Sequence, residues 1–109
     1  MTVASYDYHG NWDGRTGHVA PLYFNSRTRA ESLTNNVNFT VNHLIALGAD
    51  RKKLVVGIPL YGQTFTLFDK EDNGMYSYTK GPGAAGEYTK SSGFLPYYEV
   101  YQITIVKYE

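Results

Sequence analysis

Leu54-Val55-Val56-Gly57-Ile58 decides how this chain is read, because an almost uninterrupted apolar run with β-branched residues lies between the polar Asp50-Arg51-Lys52-Lys53 and Pro59. Such a run reads as a strand buried on both faces, as in a parallel sheet covered by helices. Upstream of it, Val37, Val41, Leu44 and Ile45 recur at helical spacing after Asn35 or Asn36, either of which can cap a helix, and Gly48 supplies a stop. Further upstream, the β-prone Val3-Ala4-Ser5-Tyr6-Asp7 runs into a loop whose Gly10, Gly14 and Gly17 permit turns, with Asp13-Gly14 as a turn pair. Strand, long loop, helix and strand make a βαβ unit. Its crossover should be right-handed, so both strands should point their C-terminal ends to one side. Tyr6-Asp7 and Pro59-Leu60-Tyr61-Gly62-Gln63 therefore belong on one rim.

Beyond Gln63 the pattern changes. Thr64-Phe65-Thr66-Leu67-Phe68 alternates with period two, as a half-exposed strand does. Asp72-Asn73-Gly74 is turn-like, Tyr76-Ser77-Tyr78-Thr79 reads as a short edge strand, and Gly81 to Gly86 reads as a loop. That loop is a poor phosphate cradle, because no Lys-Ser/Thr follows in P-loop spacing. Phe94 to Val100 can start a helix with Pro96 in its first turn. The β-branched stretch Tyr101 to Glu109 reads instead as a strand or loose tail. Pro21-Leu22-Tyr23 is expected to pack the loop onto the body, and the mixed-charge Arg27 to Glu31 to be solvated surface.

Composition narrows the function. A length of 109 residues fits one small domain or a piece of a larger one. Aromatic residues make up 16% of the chain, eleven of them tyrosines, which argues against disorder and for a packed core or a ligand groove. Ten basic and ten acidic residues cancel, so no electrostatic footprint for nucleic acid or an anionic membrane stands out. Without cysteine there are no disulfides, thiolate metal sites or cysteine nucleophiles, and a zinc site would need His9, His18 and His43 in a spacing that matches no established ligand set. No metal or cofactor is expected. No run approaches the ~18–20 apolar residues of a membrane span.

Chemistry concentrates in Tyr6-Asp7-Tyr8-His9-Gly10-Asn11-Trp12, which holds an acid, a histidine and the single tryptophan. Where a buried parallel strand opens into a loop, such groups can meet a ligand. A carboxylate and a tyrosine hydroxyl bind hydroxyl or amide groups directionally, while an indole covers the apolar face of a sugar ring. Asp7 and His9 are also acid and base candidates. The alternative is a strand end packed on a core, with Asp7 or Asn11 capping a turn. Asn38-Phe39-Thr40 matches an N-glycosylation acceptor, relevant only to a secreted protein.

Ala4-Ser5-Tyr6-Asp7 followed by Tyr8-His9-Gly10-Asn11-Trp12 resembles the Met-x-Tyr-Asp strand and aromatic-His-Gly-x-Trp loop of glycoside hydrolase family 18, the chitinases and chitinase-like lectins. Lys53 to Leu67 resembles the next barrel strand of that family and the entry to its inserted domain. Gly81-Pro82-Gly83, Gly86 to Lys90 and Gly93 to Val100 resemble the middle of that insertion. The resemblance implies an α/β fold: residues 1–63 as a βαβ piece of a (β/α)8 TIM barrel spanning its sixth and seventh strands, 64–100 as part of a small α+β insertion domain, and 101–109 as a divergent tail. It implies a chitin or N-acetylglucosamine oligomer as ligand and hydrolysis assisted by the substrate's own acetamide. Tyr6 would orient that acetamide and Asp7 would bind the sugar beside the cleavage point. Trp12 would stack a sugar, Tyr61 would add a hydroxyl to the wall, and Glu99 would bind a sugar hydroxyl from the insertion. Ala4, Ser5 and Gln63 would complete the substrate-binding set, while His9 would fix the loop.

Departures from the family set limits. Its acidic strand Asp-Gly-x-Asp-x-Asp-x-Glu is absent from these residues, and with it the proton donor, so Tyr6 and Asp7 are supporting groups only. Gln63 stands where the family has arginine, Ala4 where it has methionine, and Tyr101 where it has cysteine. The expected parent is a secreted chitinase, whose signal segment would lie upstream; the alternatives are a non-catalytic chitin-binding lectin and an inactive truncated product. Two barrel strands cannot close a barrel, so the isolated chain is expected to be inactive and either marginally stable or self-associating unless the insertion folds independently.

Overall fold

In the computed structural model, residues 1–27 and 33–108 are described, with side chains through residue 102. Strand β1 (Thr2–Val3) pairs in parallel with β2 (Val55–Val56), Thr2 opposite Val55 and Val3 opposite Val56. Helix α1 (Val37–Ala46) lies between them in sequence, completing the expected βαβ order. Parallel strands need such a crossover because no hairpin can join them. Asn36 is the N-cap: its Oδ1 accepts from the Phe39 backbone N–H at 2.8 Å. Val37, Val41, Leu44 and Ile45 are half-buried, whereas Asn38 and Asn42 are exposed, as the helical spacing requires. The carbonyls of Pro21 and Leu22 accept from Val37 N and Asn38 N, which ties the preceding loop to the start of the helix. Leu22 and Tyr23 themselves stay exposed. Of the Arg27 to Glu31 segment only Arg27 falls within the described residues, and it is exposed.

Ser5 locks the two parallel strands together. Its side chain is fully buried and its hydroxyl donates to the Gly57 carbonyl at 3.0 Å. Gly57 in turn donates from its backbone to Val3 O at 2.9 Å. A side chain at position 57 would meet Val3 O and the Tyr6 ring at 3.0 Å, tight enough that one of them would have to give way, so glycine suits the close approach.

The rest of the chain forms two antiparallel pairs. Strand β3 (Tyr61–Gln63) pairs with β6 (Phe94–Pro96), and β4 (Phe65–Leu67) pairs with β5 (Thr79–Pro82) across a bulge between Thr66 and Leu67. The period-two run is therefore a strand, as read. The edge strand expected at Tyr76 to Thr79 begins only at Thr79 and takes in Gly81 and Pro82, which the sequence reading gave to a loop. Tyr78 forms an isolated bridge to Arg15 and its carbonyl accepts from Phe68 N at 3.1 Å, while the chain at Tyr76 turns through a positive φ of 65° and cannot run extended there. Helix α2 (Tyr97–Tyr108) corrects the tail: residues 101–108 continue the helix instead of forming a strand or loose end. Helical hydrogen bonds are local, so a helix already started at Tyr97 propagates through β-branched residues whose intrinsic penalty is a few tenths of a kcal/mol each, roughly.

Strand β2 is also corrected. Val55 and Val56 are 61% and 40% exposed, with Ile58 at 80% and Leu60 at 77%, so the run expected to be buried on both faces is open. Val3 is the one buried apolar side chain among the described residues. The molecular surface is 7823 Å², about 1,700 Å² above the ~6,100 Å² typical of a folded monomer of this mass. Its radius of gyration of 15.7 Å likewise exceeds the ~13 Å of a compact chain this long. These are the proportions of an α/β fragment, a partial barrel that supplies strands without the layers that would cover them.

Candidate functional site

Immediately after β1 the backbone leaves the sheet, and Asp7 adopts φ 57°. Aspartate tolerates this left-handed conformation better than most residues. The turn points the Asp7 carboxylate at β3. Tyr61 and Gln63, two apart on that strand, share one face. Tyr61 Oη donates to Asp7 Oδ1 at 2.6 Å and Gln63 Nε2 donates to the same oxygen at 2.9 Å. No described hydrogen bond falls on Oδ2. The two strand ends expected on one rim thus meet through a single carboxylate.

Aromatic rings frame this cluster. Tyr6 meets Tyr61 edge-on, with centroids 6.3 Å apart and planes at 77°. Across the β3–β6 pair, Phe94 lies diagonal to Tyr61 at 4.9 Å. Burial, then the hydrogen bond to Asp7 and the nearby negative charge, push the Tyr61 hydroxyl well above its ordinary value of 10.0. At neutral pH it remains a proton donor, which suits it to hold a carboxylate.

Trp12 sits in a 3-10 turn at Asn11–Asp13 and is 58% exposed. One face of its ring lies over Gly10, where any added side chain would collide with the indole. Asp13 fixes the turn from below, its Oδ2 accepting from Gly10 N at 3.2 Å and lying 3.2 Å from His9 Nδ1. His9 is therefore paired with Asp13, not with Asp7, in keeping with a loop-fixing role. Tyr8 extends the brace to α1, its hydroxyl 2.6 Å from Thr40 Oγ1.

The remaining candidates separate from this cluster. Ala4 is exposed and offers only a methyl group. Ser5 is corrected from ligand contact to strand locking, since its hydroxyl is fully buried on Gly57 O. Glu99 is 3% exposed and its Oε1 accepts from Tyr88 N at 2.9 Å and Thr89 N at 2.7 Å. A buried carboxylate needs such donors, and no described hydrogen bond links it to Asp7, Tyr61 or Gln63. Hydrogen bonding from Thr89 first, and from the Tyr88 backbone, holds the Glu99 carboxyl below its ordinary 4.5 even though burial acts the other way. The sequence reading missed Phe94 as a wall of the Tyr61 cluster and Arg15 as an anchor of the Trp12 loop. The reading that Phe94 to Val100 starts a helix with Pro96 in its first turn is corrected: Phe94–Pro96 is strand β6, paired with β3, and the helix begins at Tyr97; Arg15 in a glycine-rich turn carried no signal. A cavity of about 20 Å³ beside His9, Gly17, His18 and Pro21 has room for roughly one water and none for a sugar.

Comparison with known proteins gives the family of this chain. The family model described as glycosyl hydrolases family 18 matches residues 1–108. A probable chitinase 10 of Drosophila melanogaster is 50% identical over 101 residues, covering 92% of this chain and 4% of that protein. The catalytic domain 2 of the Ostrinia furnacalis Group II chitinase superposes with a TM-score of 0.92 at 48% identity, over 97% of this chain and 27% of that one. Human YKL-39, described as a pseudo-chitinase with retained chitooligosaccharide binding, superposes with a TM-score of 0.89 at 42% identity, over 95% of this chain and 29% of its own. The chain spans less than a third of each of these relatives. With the family model over nearly the whole chain and the structural likeness in agreement, the chain belongs to glycosyl hydrolases family 18.

Proposed function

We propose that this chain supplies one wall of the sugar groove of a secreted chitinase, whose full-length form hydrolyses the β-1,4 bonds of chitin with help from the substrate's acetamide. The observation that carries the reading is the Asp7 carboxylate, held on one oxygen by Tyr61 and Gln63; the loop that follows it in sequence carries the exposed indole of Trp12. In this role Tyr6 and Asp7 orient the acetamide, Tyr61 holds Asp7 by its hydroxyl, and Trp12 covers the apolar face of a pyranose. Gln63 takes the place of a charged fork with a neutral amide, so it restrains Asp7 without neutralising it. Residues 1–63 act as the barrel portion and 64–100 as part of an insertion domain, while the expected divergence of 101–109 gives way to a family match that runs on to residue 108.

Positioning groups alone leave the departing oxygen unprotonated. The experiment is a titration of the purified 109-residue chain with N-acetylchitotetraose, followed by Trp12 fluorescence, beside an assay with a chromogenic chito-oligosaccharide. Saturable quenching that Asp7→Ala weakens, without release of the chromophore, is the expected result. Hydrolysis by this chain, or quenching indifferent to Asp7, would contradict the assignment. A second reading, a chitin-binding lectin parent, has support from the likeness to YKL-39, described as keeping oligosaccharide binding as a pseudo-chitinase. The last residue of the parent's acidic strand separates the two: glutamate for the enzyme, another residue for the lectin.

A further inference from the structure

The loop that carries Trp12 is fastened at its far end by an arginine clamp. The Arg15 guanidinium lies between two tyrosine rings, 4.3 Å from the Tyr76 centroid and 3.7 Å from that of Tyr78. Its Nη1 also donates to the Tyr76 carbonyl at 3.2 Å. The backbone is pinned to the same turn: Thr79 N donates to Gly14 O at 3.0 Å and Thr16 N to Ser77 O at 2.9 Å. Thr16 Oγ1 donates to Gly74 O at 2.8 Å and accepts from Ser77 N at 3.0 Å. Tyr76 holds its left-handed φ of 65° inside this arrangement, a conformation that persists only where surrounding contacts over-determine it.

We propose that Arg15 is a positioning residue for Trp12: stacked between Tyr76 and Tyr78, it holds the Asn11–Asp13 turn so that the indole keeps one face presented to a sugar ring. The sugar part of this inference rests on the function proposed above; the clamp itself rests on the contacts. Trp12 lies three residues before Arg15, and its ring packs over Gly10, a residue with no side chain to fix it. Orientation must therefore come through the turn, which the His9–Asp13 pair braces at one end and Arg15 at the other. A planar guanidinium can stack on two rings and donate at its edge at once, which an ammonium cannot.

The chain has one tryptophan, so its fluorescence reports on Trp12 alone. Arg15→Met, Arg15→Lys and Tyr78→Leu are compared with the parent chain at a temperature where far-UV circular dichroism is unchanged, a condition that separates a local effect from lost folding. Arg15→Met is expected to lower Trp12 anisotropy, increase its quenching by acrylamide and weaken N-acetylchitotetraose binding by about three- to tenfold. Tyr78→Leu should act in the same direction, Arg15→Lys should fall between, and the Arg15→Met/Tyr78→Leu double variant should lose less than the two effects combined. Unchanged anisotropy and acrylamide quenching in a folded Arg15→Met chain would overturn the proposal. Should Arg15→Met fail to fold, Tyr78→Leu, altered at an exposed ring, decides the same point. If the parent chain shows no quenching by the sugar, the sugar-groove reading falls, while anisotropy still decides whether Arg15 holds Trp12.

Discussion

Replacing Tyr61 with phenylalanine removes one oxygen and leaves the ring contacts with Tyr6 and Phe94 in place. What is lost is the 2.6 Å donation to Asp7 Oδ1, while the 2.9 Å donation from Gln63 remains. A hydrogen bond to a charged group contributes about 1.5–3 kcal/mol when well shielded and about 0.5–1.5 kcal/mol between neutral groups. Asp7 is exposed, so water can replace the missing donor and the lower range applies. The expected loss is about 1 kcal/mol, or roughly 4–8 °C in the melting temperature of a domain of this size. Burial and Asp7 raise the Tyr61 hydroxyl above its ordinary 10.0. Its contribution is therefore fully present below that value and fades only as pH rises through the higher folded value, so the deficit of Tyr61→Phe should be constant between about pH 7 and 9. Thermal and urea unfolding of Tyr61→Phe, Asp7→Asn and the double variant measure it. Asparagine keeps an acceptor oxygen and tolerates the left-handed backbone, so losing the Tyr61 hydroxyl should cost less in that background, where the bond is no longer charge-assisted. Equal losses in both backgrounds, or none in either, would refute an Asp7–Tyr61 unit. A loss above about 3 kcal/mol would point to ring packing instead of the hydroxyl.

Two further outcomes follow from the geometry. Because the hydrogen bonds to Glu99 hold its carboxyl below 4.5, the stability it supplies is present above that pH and is lost as pH falls through the lower folded value; a melting-temperature scan from about pH 6 to 3 should show Glu99→Gln flattening this acid limb. The surface excess of about 1,700 Å² exceeds the ~800 Å² per partner of a standard interface, and sedimentation velocity should find the chain pairing with a second copy, Val55→Thr with Ile58→Lys shifting it toward monomer.

Much of this arrangement was legible because local patterns and topology agreed. Asn36, the half-buried stripe of α1 and the β-branched run at Leu54 to Ile58 gave the βαβ order, and parallel strands with one polarity put Tyr6-Asp7 and Tyr61-Gln63 on one rim. What stayed hidden depended on partners distant in sequence. Nothing local tells that Ser5 turns inward to Gly57, or that Glu99 Oε1 accepts from the Tyr88 and Thr89 amides. Residues 101–108 misled because their β-branched composition favours a strand, while the helix begun at Tyr97 decided the outcome. The apolar run at β2 was read correctly as a strand and incorrectly as buried, since burial is a property of neighbouring layers and not of the run itself.

The parallel pair also governs the sequence of events in folding. Asp7 and Tyr61 are 54 residues apart and Ser5 and Gly57 are 52 apart, whereas the Thr66–Pro82 contact between β4 and β5 closes over 16. Closing the longer loop costs about 1 kcal/mol more in chain entropy, with little buried apolar surface to offset it. The β4–β5 hairpin is therefore expected to form early and the Asp7–Tyr61 contact late, and on mild denaturation the order reverses. Hydrogen exchange at the Gly57 amide should accordingly outpace that at Phe68, with the carboxylate cluster dispersing while the hairpin still stands.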